Sequence, residues 1–191
     1  MLATGQRRTE IGGMPWSEID RKKMVWTLPR ERTKADRAHE IPLSALAVSI
    51  IEAGPRYGEF VFSTGRSASA KVPTPRPIAG WGKAKANLDR LALRKANIIS
   101  IEREGKELSK FPEWHLHDLR RTAATYMAKL GVDRVVIAKV LNHAENEVTA
   151  VYDRHRYDQE KRDALQLWAD RLESIVASDS SSNVIPIKRL G

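Results

Sequence analysis

An apolar stripe between residues 117 and 130 constrains the fold more strongly than any other feature of the sequence. Leu119, Ala123, Tyr126 and Leu130 are spaced four, three and four positions apart, which is the spacing of one buried face of an α-helix. Gly131 follows directly and is a residue type common at helix ends. The stripe therefore predicts a core helix over about residues 117–130, and the other elements must pack around it.

Several other segments combine a helical pattern with a residue that favours helix N-termini. Thr4, Ser44, Asp133 and Asp158 each precede or begin such a segment, because their side-chain oxygens can accept hydrogen bonds from the first backbone amides. The serine-rich residues near the end of the chain predict a flexible C-terminal tail over residues 177–191. Besides the core helix, the predicted helices span about residues 6–13, 45–52, 81–97, 134–141, 147–155 and 158–176.

Three short segments instead have the character of β-strands. They are Trp16–Ile19, Met24–Leu28 and His39–Leu43, and charged or polar residues connect them. An antiparallel meander is the simplest arrangement for strands joined by such short connections. We therefore predict an α+β fold that is mainly helical and contains one small three-stranded antiparallel sheet.

The charge of the chain narrows the classes of partner. Lys and Arg number 33 against 24 Asp and Glu, a net charge of +9, which is typical of proteins that bind a polyanion such as nucleic acid; a solvated basic surface is the alternative. The absence of cysteine excludes a disulfide scaffold, a thiol nucleophile and a Cys-based metal site. No secretory signal and no apolar stretch as long as a membrane span is visible, so we expect a cytoplasmic protein without a membrane partner.

Cationic side chains at helix ends are the first candidates for a functional site. His117 and Arg120 lie three positions apart at the start of the core helix and share a face, so together they can bind an anion. Arg7 lies at the N-terminal end of the first short predicted helix, where a cation opposes the helix dipole unless an anion binds beside it. Arg8 could take the place of Arg7. For His117 and Arg120 the alternative is a solvated basic helix end, and for Arg7 or Arg8 it is a frayed chain terminus without a function.

Three more candidates lie elsewhere in the chain. Lys34 falls in the polar connection between the second and third strands, where a simple charged turn is the alternative. His143 follows the helix that ends at about residue 141, and Tyr152 lies nine positions later. Ordinary core packing is the alternative for Tyr152, and Tyr157 is its rival as a functional phenol. The histidines have no carboxylates or cysteines at metal-ligand spacing, so no metal site is predicted.

Taken in chain order, these segments resemble the tyrosine recombinases, the family of the phage-type integrases. The resemblance is carried by Thr-Gly-Gln-Arg-Arg-Thr-Glu at residues 4–10, Lys34, His-Asp-Leu-Arg-Arg-Thr at 117–122, Leu-Asn-His at 141–143, and Tyr152. It extends from about residue 2 to about residue 172 and includes the small sheet. Thr9 and Asn142 depart from the family pattern, in which glycine is common at both positions.

The resemblance implies DNA strand exchange without a metal or another cofactor, through a covalent 3′-phosphotyrosyl link. A free phenol ionises at about pH 10, so its attack on a phosphate requires a cationic pocket that lowers its pKa. The implied roles are a nucleophile in Tyr152, phosphate clamps in Arg7 and Arg120, a hydrogen-bond donor in His143, a general base in His117, a general acid in Lys34 and a supporting carboxylate in Glu10.

The resemblance also implies partners and a domain organisation. Residues 1–176 correspond to the catalytic domain, without its first helices and without the DNA core-binding domain that usually precedes it. We therefore expect exposed apolar surface and self-association, tetramers on double-stranded DNA as in the family, and an architectural DNA-bending protein as a further partner. The expected DNA contacts are Arg8, Arg37 and Arg121. The expected location is a bacterial nucleoid, with the gene carried by a bacterium, a phage or a prophage.

The sequence leaves other functions open. A type IB topoisomerase would share the chemistry but relax DNA instead of recombining it. A folded but inert DNA-binding remnant would share the salt-dependent affinity for DNA, whereas a general basic interaction protein would lack the ordered set of residues. The last helix is open as well, because its stripe of Leu165, Trp168, Leu172 and Ile175 fits packing within the chain or against a neighbouring protomer.

Overall fold

Trp26 lies at the centre of the small sheet. The computed structural model describes residues 1–63, 76–143 and 155–181, with strands β1 (Ile19–Asp20), β2 (Val25–Leu28) and β3 (His39–Pro42). The strands are antiparallel in the order β1-β2-β3, and Trp26 pairs with Ile19 and Ile41. Trp26, Leu28 and Ile41 are buried in the core, because alternate residues of a strand face the same side. The predicted α+β class with a three-stranded antiparallel sheet is confirmed.

The described residues also form six α-helices. Two of the predicted N-caps are confirmed: the Ser44 hydroxyl accepts a hydrogen bond from the Ala47 amide at 3.3 Å, and the Asp133 carboxylate accepts one from the Val135 amide at 2.7 Å. These caps satisfy amides that have no partner within the helix. The helices are α1 (Arg8–Gly12), α2 (Ala45–Ala53), α3 (Trp81–Glu104), α4 (Leu116–Lys129), α5 (Arg134–Val140) and α6 (Asp158–Ser181).

The first predicted strand was largely wrong. Trp16–Glu18 forms a short 3₁₀ helix, and the strand begins only at Ile19. The Trp16 amide donates a hydrogen bond to the Glu59 carbonyl at 2.9 Å. This contact with a distant segment satisfies the amide and takes the backbone out of the register of the sheet.

Two helices are longer than predicted. α3 continues to Glu104 and ends at Gly105, which has a φ of 65°, a conformation that glycine adopts at little cost. α6 continues to Ser181, so residues 177–181 belong to a helix and not to the predicted tail. The Ser178 hydroxyl donates to the Ser174 carbonyl at 2.7 Å, a bond within the helix that serine can make. Two predicted segments lie outside the described residues: the rest of the tail, 182–191, and residues 147–154 of the helix predicted over 147–155.

The buried face of α4 is rotated from the predicted one. Ala123 is buried as expected, but Leu119 is only half-buried and lies outside the hydrophobic core cluster. The buried residues of the helix are Arg120, Ala123 and Met127. The prediction failed at Leu119 because burial of an arginine was not expected, and the guanidinium of Arg120 is buried together with backbone carbonyls that accept its hydrogen bonds.

α6 packs on the other elements through its apolar stripe. It contacts α2, α4, α5 and β3, and its Leu165 and Trp168 are buried in the shared core. The Trp168 indole Nε1 donates to the Leu2 carbonyl at 2.9 Å, and its ring centroid lies 5.5 Å from that of Tyr126. Leu172 is half-buried, whereas Ile175 is exposed. Most of the stripe is therefore filled within this chain.

α3 carries much of the exposed apolar surface of the described residues. None of its residues is buried. Leu88, Leu91, Ile98 and Ile101 are all exposed. Among the described residues, no helix is both long enough and apolar enough to cross a membrane.

Replacing Trp168 with alanine should destabilise the fold strongly. The side chain is 1% exposed, and removing a buried tryptophan typically costs about 3–5 kcal/mol because a cavity remains. Leu167→Ala is the matched control, because Leu167 is the preceding residue of the same helix and is 43% exposed; its expected effect is within about 0.5 kcal/mol. Urea unfolding of both variants measures the difference. Equal stabilities would contradict the packing of α6 described above.

His39 on β3 is a buried histidine in contact with a backbone carbonyl. Its Nε2 lies 3.1 Å from the Val140 carbonyl oxygen. Burial lowers the pKa of His39 from 6.5 to about 4, and the charges of Lys161, Arg37 and Arg120 lower it further, against the opposing effect of the carbonyl. The imidazole is therefore neutral at physiological pH, and its Nε2 carries the hydrogen that the carbonyl accepts.

This histidine should make the fold sensitive to mild acid. The unfolded chain binds a proton at His39 more readily than the folded one. The contribution of His39 to the free energy of unfolding is therefore complete above about pH 6.5 and is lost as the pH falls toward about 4. Between about pH 7.5 and pH 5 we expect the free energy of unfolding to fall by about 2 kcal/mol more in the wild type than in His39→Gln. Urea titrations at the two pH values give this comparison. Equal losses of unfolding free energy in the wild type and in His39→Gln would contradict the lowered pKa of His39.

Candidate active site

Arg120 joins two separate segments of the chain. Its side chain is 3% exposed. One guanidinium nitrogen donates to the Gly5 carbonyl at 2.6 Å, and the other donates to the Leu141 carbonyl. Burial lowers the pKa of Arg120 to about 10, with a further lowering by Arg7 and an opposing effect of Glu10. Arg120 therefore remains a cation at neutral pH, fixed between the segments that carry Arg7 and His143.

Arg7 is held by a carboxylate from its own helix. Glu10 is buried, and its Oε1 and Oε2 accept hydrogen bonds from the Arg7 Nη1 and the Arg7 backbone amide, both at 2.8 Å. The carboxylate lies in the first turn of α1, where it offsets the unfavourable interaction of Arg7 with the helix dipole. Arg32 donates to the Glu10 carbonyl at 2.7 Å and pairs with Glu18. The position of Arg7 is therefore tied to the sheet.

His143 follows α5 after a sharp turn in the backbone. The turn is made by Asn142, which is buried and has a φ of 49°, a left-handed conformation that asparagine adopts more readily than most residues. Arg37 donates to the Asn142 side-chain oxygen and to the His143 carbonyl, both at 3.1 Å. Arg37 thus supports the loop that presents His143. Asn142 fits here because the position requires a left-handed residue, which also accounts for the glycine that the family often has.

The hydrogen bonds of Arg120 to the Gly5 and Leu141 carbonyls bring the segments that carry Arg7 and His143 to the first turns of α4. Partial desolvation lowers the pKa of His143, and the charges of Arg120, Arg7 and His117 lower it further. His117 is exposed, one turn before Arg120 on α4. We call Arg7, His117, Arg120 and His143 the cationic cluster. Two of its members, Arg7 and His117, line an open groove of about 510 Å³ together with Arg8 and Lys85.

The other candidate residues are exposed or lie outside the described residues. Lys34 is exposed in the connection between β2 and β3, and within the described residues no hydrogen bond or ion pair joins it to the cluster. Arg8 and Arg121 are exposed, and Arg121 pairs with Asp118 at 3.3 Å. Tyr152 lies outside the described residues.

The rival phenol is in a packed environment. The ring of Tyr157 makes an edge contact with His155 at 4.5 Å between centroids, and the Lys139 Nζ lies 4.9 Å from its centroid. In the described part of the chain, no three histidine or carboxylate side chains converge as metal ligands.

Sequence reasoning missed three residues that support the cluster. Gln6 is fully buried and donates to the Val140 and Thr4 carbonyls. His39 bonds to the same Val140 carbonyl, and Arg32 holds the backbone of α1. Their partners are backbone carbonyls far away in the chain. The sequence gives no signal for these roles, because Gln6 and Arg32 lie among other polar residues and any backbone carbonyl could be the partner.

Comparison with known proteins places the chain in a family. Residues 1–159 match the family described as Phage integrase family. Prophage integrase IntA of Escherichia coli (strain K12) is 30% identical in an alignment 190 residues long that covers 96% of this chain and 39% of IntA. Prophage integrase IntF of the same strain is 24% identical in an alignment 187 residues long that covers 96% of this chain and 34% of IntF. The chain therefore spans about two fifths or less of the length of these relatives.

A solved structure shares the fold. The Tn1549 transposon integrase, in complex with circular intermediate DNA, has a TM-score of 0.50 and 16% sequence identity to this chain. The match covers 84% of this chain and 53% of that one, and at this identity it bears on the fold alone. The family match extends over most of the 191 residues and includes the whole cationic cluster. The chain belongs to the phage integrase family.

Proposed function

We propose that this chain is the catalytic domain of a site-specific DNA recombinase, which cuts and rejoins double-stranded DNA through a 3′-phosphotyrosyl intermediate at Tyr152. The observation that carries the proposal is the cationic cluster. Three segments distant in sequence bring Arg7, His117, Arg120 and His143 together, and buried hydrogen bonds hold Arg120 in place. Two guanidinium groups held by hydrogen bonds, together with two histidines, suit a phosphodiester on which negative charge increases during reaction.

The reaction follows from these groups. The phenolic oxygen of Tyr152 attacks the scissile phosphorus, the bond from phosphorus to the 5′-oxygen breaks, and the 5′-hydroxyl departs. Arg7 and Arg120 bind the non-bridging oxygens, because a planar guanidinium suits them, and His143 donates a further hydrogen bond. His117 accepts the proton of the phenol, and Lys34 supplies the proton of the leaving oxygen. A 5′-hydroxyl of the partner DNA then attacks the phosphotyrosyl bond, and the same steps run in reverse. The energy of the phosphodiester bond is conserved in the covalent link between them.

The state of His143 in the free protein fits a donor role. Its lowered pKa keeps the imidazole neutral at physiological pH, so the cluster does not carry one more charge that would repel Arg7 and Arg120. A phosphate bound among these groups adds negative charge and favours protonation of His143. Substrate binding therefore strengthens the donor that contacts the phosphate.

The proposal extends to partners and location. Double-stranded DNA is the substrate, Arg8, Arg37 and Arg121 contribute to its binding, and several copies assemble on it. The catalytic domain spans residues 1–176, and an upstream core-binding domain and an architectural DNA-bending protein complete the complex. The working location is the bacterial nucleoid.

A covalent-trapping assay tests the nucleophile. The protein is mixed with a pool of nicked suicide DNA substrates from candidate attachment regions, in EDTA, and the products are separated on a denaturing gel. We expect a protein–DNA adduct with the wild type and with Tyr157→Phe, and none with Tyr152→Phe, because only the first two keep the attacking phenol.

Other outcomes of the trapping assay identify other functions. Loss of the adduct only in Tyr157→Phe would show that the other phenol is the nucleophile. Relaxation of supercoiled plasmids without any site preference would indicate a topoisomerase. Salt-sensitive DNA binding without an adduct from any substrate would indicate an inert remnant.

Arg120→Lys should slow adduct formation with little effect on DNA affinity. Lysine keeps the charge but lacks the planar fork that reaches both the Gly5 and Leu141 carbonyls. Loss of one fixed donor at the reacting phosphate costs on the order of a hundredfold or more in rate. Arg134→Lys is the matched control, because Arg134 is exposed on α5 and has no part in the proposed site, and its rate should stay within about twofold. Single-turnover kinetics measure both, and equal rates would remove Arg120 from the mechanism.

A further inference from the structure

The carbonyl group of Val140 accepts two buried hydrogen bonds. The Gln6 Nε2 donates to it at 2.8 Å, and the His39 Nε2 lies 3.1 Å from the same oxygen. Val140 is the last residue of α5, and the final carbonyls of a helix have no partner within it. A carbonyl oxygen has two lone pairs. The two side chains therefore cap the end of α5 from outside the helix.

The two donors connect this helix end to the cationic cluster. Gln6 directly precedes Arg7, and Val140 lies three residues before His143. Gln6 is further anchored by a bond from its Nε2 to the Thr4 carbonyl at 2.9 Å. His39 adds a connection to β3. A single carbonyl thus fixes the distance between the segment of Arg7, the sheet and the segment of His143.

We propose that Gln6 and His39 are positioning residues for the reaction, which hold the His143 end of α5 in register with Arg7 through the shared carbonyl of Val140. This inference rests on the proposed function. Neither side chain lines the groove beside the cationic cluster. Both act through the backbone that presents His143, where an error of about 1 Å can cost on the order of a hundredfold in rate.

The surroundings of His39 explain why a histidine suits this position. Lys161 of α6, Arg37 of the connection between β2 and β3, and Arg120 of α4 all bring positive charge toward it. A lysine or arginine at the same place would add a buried charge next to these cations. A neutral imidazole donates one hydrogen bond without that cost, as does the amide of Gln6.

Because two donors share one acceptor, the effects of removing them should not be independent. Gln6→Met and His39→Leu each remove one donor and leave the carbonyl satisfied by the other. The double variant leaves the carbonyl without either donor, so its loss should exceed the product of the single losses. Gln6→Met with His39→Gln is the matched control, because glutamine restores an N–H donor at position 39.

Two readouts test the proposal on the full chain. In single-turnover trapping we expect losses of about threefold for each single variant and on the order of a hundredfold for the double variant, with DNA affinity within about twofold. The control with glutamine at position 39 should recover at least about tenfold. By NMR, the pKa of His143 should rise toward the ordinary 6.5 in the double variant, because the imidazole becomes more exposed to water and moves away from Arg120 and Arg7. His143→Gln assigns its signal.

The NMR readout separates this inference from the proposed function. No adduct from the wild type with any substrate, together with a shifted His143 titration in the double variant, would overturn the function and support the positioning. An adduct from the wild type, with rate and titration unchanged in the double variant, would overturn the positioning alone. Losses that combine as a simple product would show that the carbonyl is not a shared constraint, and would also overturn it.

Hydrogen exchange gives a test if the double variant does not fold. The amides of Leu141, Asn142 and His143 bond to carbonyls within α5, so they report the opening of this helix end. We expect their exchange to be at least about threefold faster in each single variant than in the wild type, and the Met127 amide in the core to be unchanged. Unchanged exchange at all of these amides would overturn the proposal.

Discussion

The guanidinium of Arg120 is the group on which the site depends. A buried charge costs several kcal/mol unless hydrogen bonds compensate it, and here the compensation comes from the carbonyls of Gly5 and Leu141. Neither carbonyl is close to Arg120 in sequence. The face of α4 that carries Arg120 can be buried only when both segments are in place. Folding of the core and assembly of the cationic cluster are therefore one event, and the cluster is already formed before any phosphate binds.

The cationic cluster contains more positive than negative charge, and this excess of positive charge favours binding of a phosphodiester in the proposed reaction. Glu10 is the carboxylate bound to Arg7, whereas Arg120 and His143 both have lowered pKa values because burial and neighbouring cations disfavour their charged forms. Bringing like charges together is unfavourable in the free protein. A bound phosphodiester relieves the repulsion, most of all when its negative charge increases in the transition state. The fold thus stores an unfavourable interaction that the substrate removes.

Several elements of the fold could be predicted from residues close together in the chain. The strand character of Met24–Leu28 and His39–Leu43 and the caps Ser44 and Asp133 predict elements that the structure confirms. Errors arose where a distant partner decided the outcome. The Glu59 carbonyl takes Trp16 out of the sheet, and the carbonyls near the ends of α1 and α5 allow Arg120 to be buried where Leu119 was expected.

The sequence by itself determined the fold class, the family and the identity of the candidate site residues, because the motifs at 4–10, 117–122 and 141–143 are local patterns. Only the tertiary structure decided which of them meet. It brings Arg7, His117, Arg120 and His143 together and leaves Lys34 exposed in its connection. It also gives Gln6, Arg32, Arg37 and His39 their roles as supports of the cluster. The physical reason is that these supports bond to backbone carbonyls, and every residue has a carbonyl, so no pattern of side chains in the sequence identifies the one that is chosen.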